Sequence, residues 1–129
     1  MEEIVINWHI TQKCNYKCHY CFAKYENIAG GEICCSKVSI ELLLKEVFRF
    51  FTVKYEKRSI RLNIAGGEPT LSKKLDFIIE KACQIGFAVS IITNGSKITN
   101  QFIEKNAKFI SVFAFSIDSI EPETNKLIG

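Results

Sequence analysis

The chain has 129 residues, 47% apolar and 24% charged, with 17 basic residues against 14 acidic for a formal net charge of +3. These values suit one globular domain with a usable core and exclude a disordered tail, a collagen-like chain and a coiled coil. The charge is too small and scattered to argue for nucleic acid, no apolar run approaches the ~18 residues that span a bilayer, and the acidic start Met1-Glu2-Glu3 is not followed by the apolar region of a secretory signal. The expectation is a cytoplasmic protein with neither a membrane nor a nucleic-acid partner.

Ile4 to Ile10, rich in β-branched residues, predicts a first strand. A polar, cysteine-bearing loop follows, and Gly30-Gly31 breaks the chain again. With Ser39 as N-cap, apolar residues at Ile40, Leu43, Leu44, Val47, Phe48 and Phe51 predict a helix. Ile60 to Ile64 alternates apolar and polar residues as a second strand does, then gives way to Ala65-Gly66-Gly67-Glu68-Pro69. Ser72 is expected to cap a second helix that buries Leu75, Ile78, Ile79 and Ala82, with Gly86 at its C-terminus. Phe87 to Ile92 is the third predicted strand, ending in Thr93-Asn94-Gly95-Ser96. Thr99 to Asn106 is a short helix, and Phe109 to Ile117 a fourth strand ending in Ser116-Ile117-Asp118-Ser119. A last helix is just beginning.

This βαβαβαβ order predicts an α/β fold, a parallel sheet with crossover helices. Each unusual polar motif follows a strand, at the edge where parallel sheets and barrels carry their sites. Four strands make only the open half of a barrel. The fourth would expose a long apolar edge from Phe109 to Phe115. The expectation is the N-terminal part of a larger enzyme, or a chain that pairs with another.

Six cysteines are many for this length. A disulfide scaffold is short of core and needs a secretory signal, so the expectation is a reduced protein whose cysteines bind metal. Cys14, Cys18 and Cys21 are spaced by four and by three. A tight loop with that spacing can turn three sulfurs onto one iron–sulfur cube. A full cubane takes four thiolates, so three leave one iron open to a small molecule. The alternatives are an exposed thiol cluster or a zinc site completed by His9 or His19. Zinc ligands usually come as a pair with a distant second pair, and none exists here. Cys34, Cys35 and Cys83 share no such spacing. In Gly66-Gly67-Glu68-Pro69, two glycines let backbone approach a ligand, and the carboxylate and carbonyls can accept from an ammonium group. Alone, such a segment is more often an ordinary turn.

Cysteine triad and glycine motif together, at consecutive strand ends, resemble the radical S-adenosylmethionine superfamily. The resemblance implies a partial (β/α) barrel of which residues 1–129 form the N-terminal part, with a [4Fe–4S] cluster held by Cys14, Cys18 and Cys21. S-adenosylmethionine would chelate the open iron through its amino and carboxylate groups. One electron from the cluster would cleave it to a 5′-deoxyadenosyl radical. Gly66, Gly67, Glu68 and Pro69 would hold the methionyl ammonium, and Tyr20 would lie near the adenine.

Within that superfamily, several segments resemble the viperin-like nucleotide dehydratases. They are Asn7-Trp8-His9-Ile10-Thr11, the cysteine loop through Phe22, Thr93-Asn94-Gly95-Ser96, Ser116-Ile117-Asp118-Ser119 and Asn125 to Gly129. The resemblance implies an antiviral enzyme that converts a ribonucleoside triphosphate to its 3′-deoxy-3′,4′-didehydro form, served by an electron donor such as flavodoxin or ferredoxin. Asn7 and Arg61 match substrate-contacting positions. Arg61 stands where the family has a lysine facing the triphosphate, and its planar fork suits phosphate. Asn94 and Ser116 match positions that touch the ribose and carboxylate of S-adenosylmethionine. Ala65 departs from the family's serine, and the loop from Lys24 to Lys37 also differs. The remaining basic substrate residues of the family would lie beyond residue 129, and no catalytic side chain is assigned.

Other readings of the residues stay open. The chain could be another radical enzyme, a peptide maturase or a glycyl-radical activase, or a truncated copy without catalysis. Trp8 and the phenylalanines are expected in the core, as is His9 as a hydrogen-bonded histidine. His19 is expected at the surface, Cys83 as a small hydrophobe on helix two, and Asp118 as a helix cap. Strand alternation puts Arg61 on one face with Asn63, which in a barrel would be the lumen.

Overall fold

Strands whose side chains alternate in character can cover only one face with helices, and that constraint organises this fold. The computed structural model describes residues 2–23, 36–56 and 58–129. The expectations on Gly30-Gly31 and on Cys34 and Cys35 fall outside those residues. The element order is β1 (Glu3–His9), α1 (Lys37–Lys54), β2 (Ser59–Ala65), α2 (Leu75–Ile85), β3 (Ala88–Thr93), α3 (Asn100–Asn106), β4 (Val112–Phe115) and α4 (Pro122–Ile128). Short 3-10 turns at Pro69–Leu71 and Ala107–Phe109 lead into α2 and β4. The strands form one sheet in the order β1-β2-β3-β4, every pair parallel. Parallel neighbours need crossovers, and α1, α2 and α3 supply them.

One face of the sheet carries Ile60, Leu62, Ile64, Val89 and Ile91. They form the core with Ile40 and Leu44 of α1 and Leu75, Ile78, Ile79 and Ala82 of α2. Trp8 and Cys83 pack against that core as expected. The other face carries Glu3, Val5, Asn7 and His9 of β1, all exposed, with Arg61 and Asn63 half-buried beside them. His9 is therefore on the open face rather than in the core. Phe22, 92% exposed, and Phe50 and Phe115, about half exposed, also depart from the expectation for phenylalanines.

Boundaries differ in physically readable ways. Helix α1 starts three residues early because Ser36, not Ser39, is the cap: its hydroxyl accepts from the Ser39 N–H at 3.1 Å. Ser72 does not cap α2. It closes the preceding 3-10 turn, and its hydroxyl accepts from the Lys74 N–H. Thr99 does cap α3, accepting from Phe102 N–H. The fourth strand is shorter than its apolar run because Phe109 and Ile110 turn into the core before pairing starts. Asp76 of α2 staples α3, accepting from Lys105 Nζ at 2.6 Å and Asn106 Nδ2 at 2.9 Å. Burial raises the Asp76 carboxyl, but those two donors outweigh it and hold the group below its usual range.

Helix α1 separates two adjacent leucines. Leu44 is 2% exposed and Leu43 is 47% exposed. Leu44→Ala is expected to cost about 2–5 kcal/mol, as for other buried leucines, whereas Leu43→Ala should stay within about 0.5 kcal/mol as a surface change. Chemical denaturation of the two variants checks the orientation of the helix.

Candidate active site

The four polar motifs meet at the C-terminal edge of the sheet. Past His9 the pairing with β2 continues through Ile10, whose N–H donates to the Ala65 carbonyl at 3.0 Å. The buried Thr11 then turns the chain, its hydroxyl accepting from Lys13 N–H. The glycine motif lies flat against this turn. Gly67 N–H donates to the Thr11 carbonyl at 2.9 Å and Glu68 N–H to the Lys13 carbonyl at 2.7 Å. Gly66 has φ +143, and a Cβ there would stand 2.4 Å from the Thr11 oxygen; at Gly67 it would stand 2.2 Å from the Lys13 oxygen. The two glycines are needed for the motif to touch the cysteine loop.

Glu68 sits inside this joint with no solvent exposure. Its Oε1 accepts from Thr70 N–H (3.1 Å), Thr70 Oγ1 (2.5 Å) and Thr93 Oγ1 (2.7 Å), and its Oε2 from Asn94 N–H (2.7 Å). The side chain thus ties the turn after β2 to the end of β3, and its carboxyl faces protein donors rather than the surface. Pro69 is buried at the first position of the 3-10 turn.

The cysteine loop is held from its other sides too. Asn15 Nδ2 donates to Ser96 Oγ at 2.8 Å, and Asn15 Oδ1 accepts from Asn94 Nδ2 at 3.0 Å. Asn94 Oδ1 accepts in turn from Ser96 N–H. His19 N–H donates to the Ile128 carbonyl at 2.9 Å, and Tyr20 Oη donates to Asp118. That bond holds the Tyr20 phenol well above its usual range. Asp118 is therefore a partner of the loop, while the residue that precedes α4 as its cap is Glu121. His19 is exposed, as expected.

Cys14, Cys18 and Cys21 are free and half-buried. Burial pushes the Cys14 thiol up; the Tyr16 N–H opposes this, and the nearby Glu68, Cys18 and Cys21 add to it. Among the described residues no three His, Cys, Asp or Glu side chains converge on a single metal ion. Three half-buried thiols from one braced loop are a donor set that suits an iron–sulfur cluster. Beside the loop lies an open cleft of about 520 Å³, lined by Cys18, Tyr20, Asn94, Ser116, the residues that follow it and one side of α4. That volume is in the range of small-molecule sites. Gly66, Gly67, Glu68 and Pro69 lie beneath the cysteine loop and do not line this cleft. Asn7 and Arg61 are elsewhere, on the open face below the rim. Arg61 donates through Nε to Glu3 Oε2 at 2.9 Å and holds that carboxyl below its usual range; its Nη1 is buried with no hydrogen-bond partner among the described residues.

The profile of the Radical SAM superfamily matches residues 8–129. The chain belongs to the Radical SAM superfamily. The S-adenosylmethionine-dependent nucleotide dehydratase of Psychrobacter lutiphocae is 38% identical over 134 residues, covering 99% of this chain and 45% of that protein. The enzyme of the same name from Fibrobacter sp. is 40% identical, covering all of this chain and 38% of its own length. The nucleotide dehydratase RSAD2 of Siniperca chuatsi is 34% identical and covered over 33%. The chain spans less than half the length of these curated relatives. The crystal structure of BtrN in complex with AdoMet and 2-DOIA shares the fold, with a TM-score of 0.68 at 17% identity over 99% of this chain and 51% of BtrN.

In this radical SAM chain the glycine motif and the cysteine loop are one packed unit. Gly67→Ala must therefore displace the loop. It is expected to cost about 1–3 kcal/mol, as overpacking does, and to lower the iron retained after anaerobic reconstitution. Thermal unfolding and iron content check both effects; undiminished iron would show that the loop absorbs the methyl group.

Proposed function

We propose that this chain is the N-terminal, cofactor-binding part of a viperin-like nucleotide dehydratase, acting on a ribonucleoside triphosphate in the cytoplasm as part of antiviral defence. The observation that carries the reading is the cleft at the strand ends, where Cys18, Tyr20, Asn94 and Ser116 come together from three separate motifs. Identity of 34–40% to proteins named as nucleotide dehydratases supports it. In this reading Cys14, Cys18 and Cys21 hold a [4Fe–4S] cluster. When bound, the cluster and S-adenosylmethionine, with an electron from a flavodoxin or ferredoxin, would supply the 5′-deoxyadenosyl radical chemistry needed at the ribose 4′ hydrogen.

The chain's own residues bind and orient. The backbone of Gly66, Gly67 and Pro69 serves the methionyl ammonium, with Glu68 holding that backbone in shape from within. Tyr20, fixed by Asp118, flanks the adenine, while Asn94 and Ser116 serve the ribose and the carboxylate. The nucleotide lies over the open face of the sheet. Asn7 is two residues below the end of β1 and Arg61 four below the end of β2, about 7 and 13 Å at the rise of a strand. Arg61, steadied through Nε by Glu3, takes the triphosphate.

The test is anaerobic reconstitution of the full-length protein, incubation with S-adenosylmethionine, dithionite and each ribonucleoside triphosphate, and mass spectrometry for the didehydro product. Production of 5′-deoxyadenosine without any nucleotide product would favour a peptide-modifying radical enzyme. Ala at Cys14, Cys18 or Cys21 should abolish the iron and its visible absorbance, and Ala at Cys83 should leave both. A chain that takes up zinc tightly in place of iron would sink the cluster assignment.

Arg61→Ala is expected to raise the KM for nucleoside triphosphate about tenfold or more, the scale of a lost charge-assisted hydrogen bond. Uncoupled 5′-deoxyadenosine formation should persist. Arg61→Lys should be milder. Wild-type KM and kcat in the Ala variant would make Arg61 a bystander.

A further inference from the structure

The open face of the sheet carries a row of polar side chains that the cofactor site does not use. Asn7 of β1 is in register with Asn63 of β2, and Asn63 with Ser90 of β3. The three are joined by hydrogen bonds running in one direction. Ser90 Oγ donates to Asn63 Oδ1 at 2.9 Å, and Asn63 Nδ2 donates to Asn7 Oδ1 at 2.7 Å. Ser90 is 3% exposed, Asn63 half-buried and Asn7 exposed, so the row climbs from the interior to the surface.

Direction matters because an amide has an accepting end and a donating end. The buried Ser90 hydroxyl fixes Asn63 with its oxygen inward and its NH2 outward. Asn63 then claims the Asn7 oxygen. What remains is the Asn7 NH2, which has no hydrogen-bond acceptor among the described residues. The end of the row is thus a pair of N–H donors held over the open face.

The geometry points to Asn63 and Ser90 as positioning residues. They lock the Asn7 amide so that it presents donors, and so recognises an acceptor oxygen of the substrate, a ribose hydroxyl or a phosphate. This rests on the nucleotide dehydratase reading for its substrate, while the orientation itself rests on the row alone. Asn63→Asp reverses the logic. An aspartate still accepts from Ser90 but has nothing to donate to Asn7, so the Asn7 amide turns to donate to it. An acceptor then faces the substrate where a donor stood.

The test is a double-mutant cycle in the full-length, cluster-reconstituted protein, with binding of each of the four ribonucleoside triphosphates measured by calorimetry. Asn63→Asp and Asn7→Ala should each weaken binding about 10- to 100-fold, and the double variant should be no weaker than the poorer single one. In parallel, side-chain amide NMR on asparagine-labelled protein, with the Asn7 signal identified by its loss in Asn7→Ala, should show those protons exchanging freely with water. They should become protected in Asn63→Asp. Additive losses, or an Asn7 amide already protected in the unaltered protein, would overturn the proposal. If the unaltered protein binds none of the four nucleotides, the nucleotide reading fails, and the relay then stands or falls on whether the exchange pattern reverses.

Discussion

A buried carboxyl group holds this site together. Side chains like that of Glu68 are costly to remove from water, and the cost is offset only when donors surround them. Glu68 has four side-chain hydrogen bonds, from two residues at the end of β3 and one in its own turn, while its backbone N–H reaches the cysteine loop. Three strand ends are therefore anchored on one residue. The cysteine loop has no regular structure of its own, so its shape comes from what it leans on. Beneath it are the two glycines, and beside it are Asn94 and Ser96, which the loop's own Asn15 joins in a closed set of amide and hydroxyl bonds. A site built this way gains precision from scaffold rather than from the loop.

The sheet has two faces with unlike work. Alternation sends Ile60, Leu62 and Ile64 into the helices and leaves Arg61 and Asn63 on the other side. The open face is ordered by its own contacts with no helix among the described residues laid over it: the Glu3–Arg61 ion pair lies lower on the strands, and the asparagine row lies nearer the rim. Polar side chains with fixed partners on such a face are poor material for a core. They are good material for holding something polar.

Most of the fold was legible because a parallel sheet repeats one simple grammar, an apolar strand, a polar turn and an amphipathic helix. The order of elements and the meeting of four motifs at one edge followed from that grammar. The errors came where the chain had two choices of equal local merit. Ser36 and Ser39 are both good caps, and only the start of the helix distinguishes them. Phe109 to Phe115 is a long apolar run, but its first residues serve the core and only the last four pair. The role of Glu68 could not be read locally at all. Its acceptance of Thr93 and Asn94 depends on residues about 25 positions later, so a side chain that suggested a ligand contact is enclosed by protein. Asp118 was similar, its partner Tyr20 lying 98 residues away in sequence. Asn63 was visible by alternation, but the direction of its hydrogen bonds was not.

The span of those bonds has a temporal consequence. Asn15 finds its partners 79 and 81 residues further along the chain. A newly made cysteine loop therefore leaves the ribosome long before anything exists to shape it. Bringing such distant segments together costs loop-closure entropy that only the paired strands return. Until β3 has docked beside β2, the three thiols belong to an unbraced segment. The braced arrangement of the loop is a product of folding, and it exists only when the strand behind Asn94 is in place.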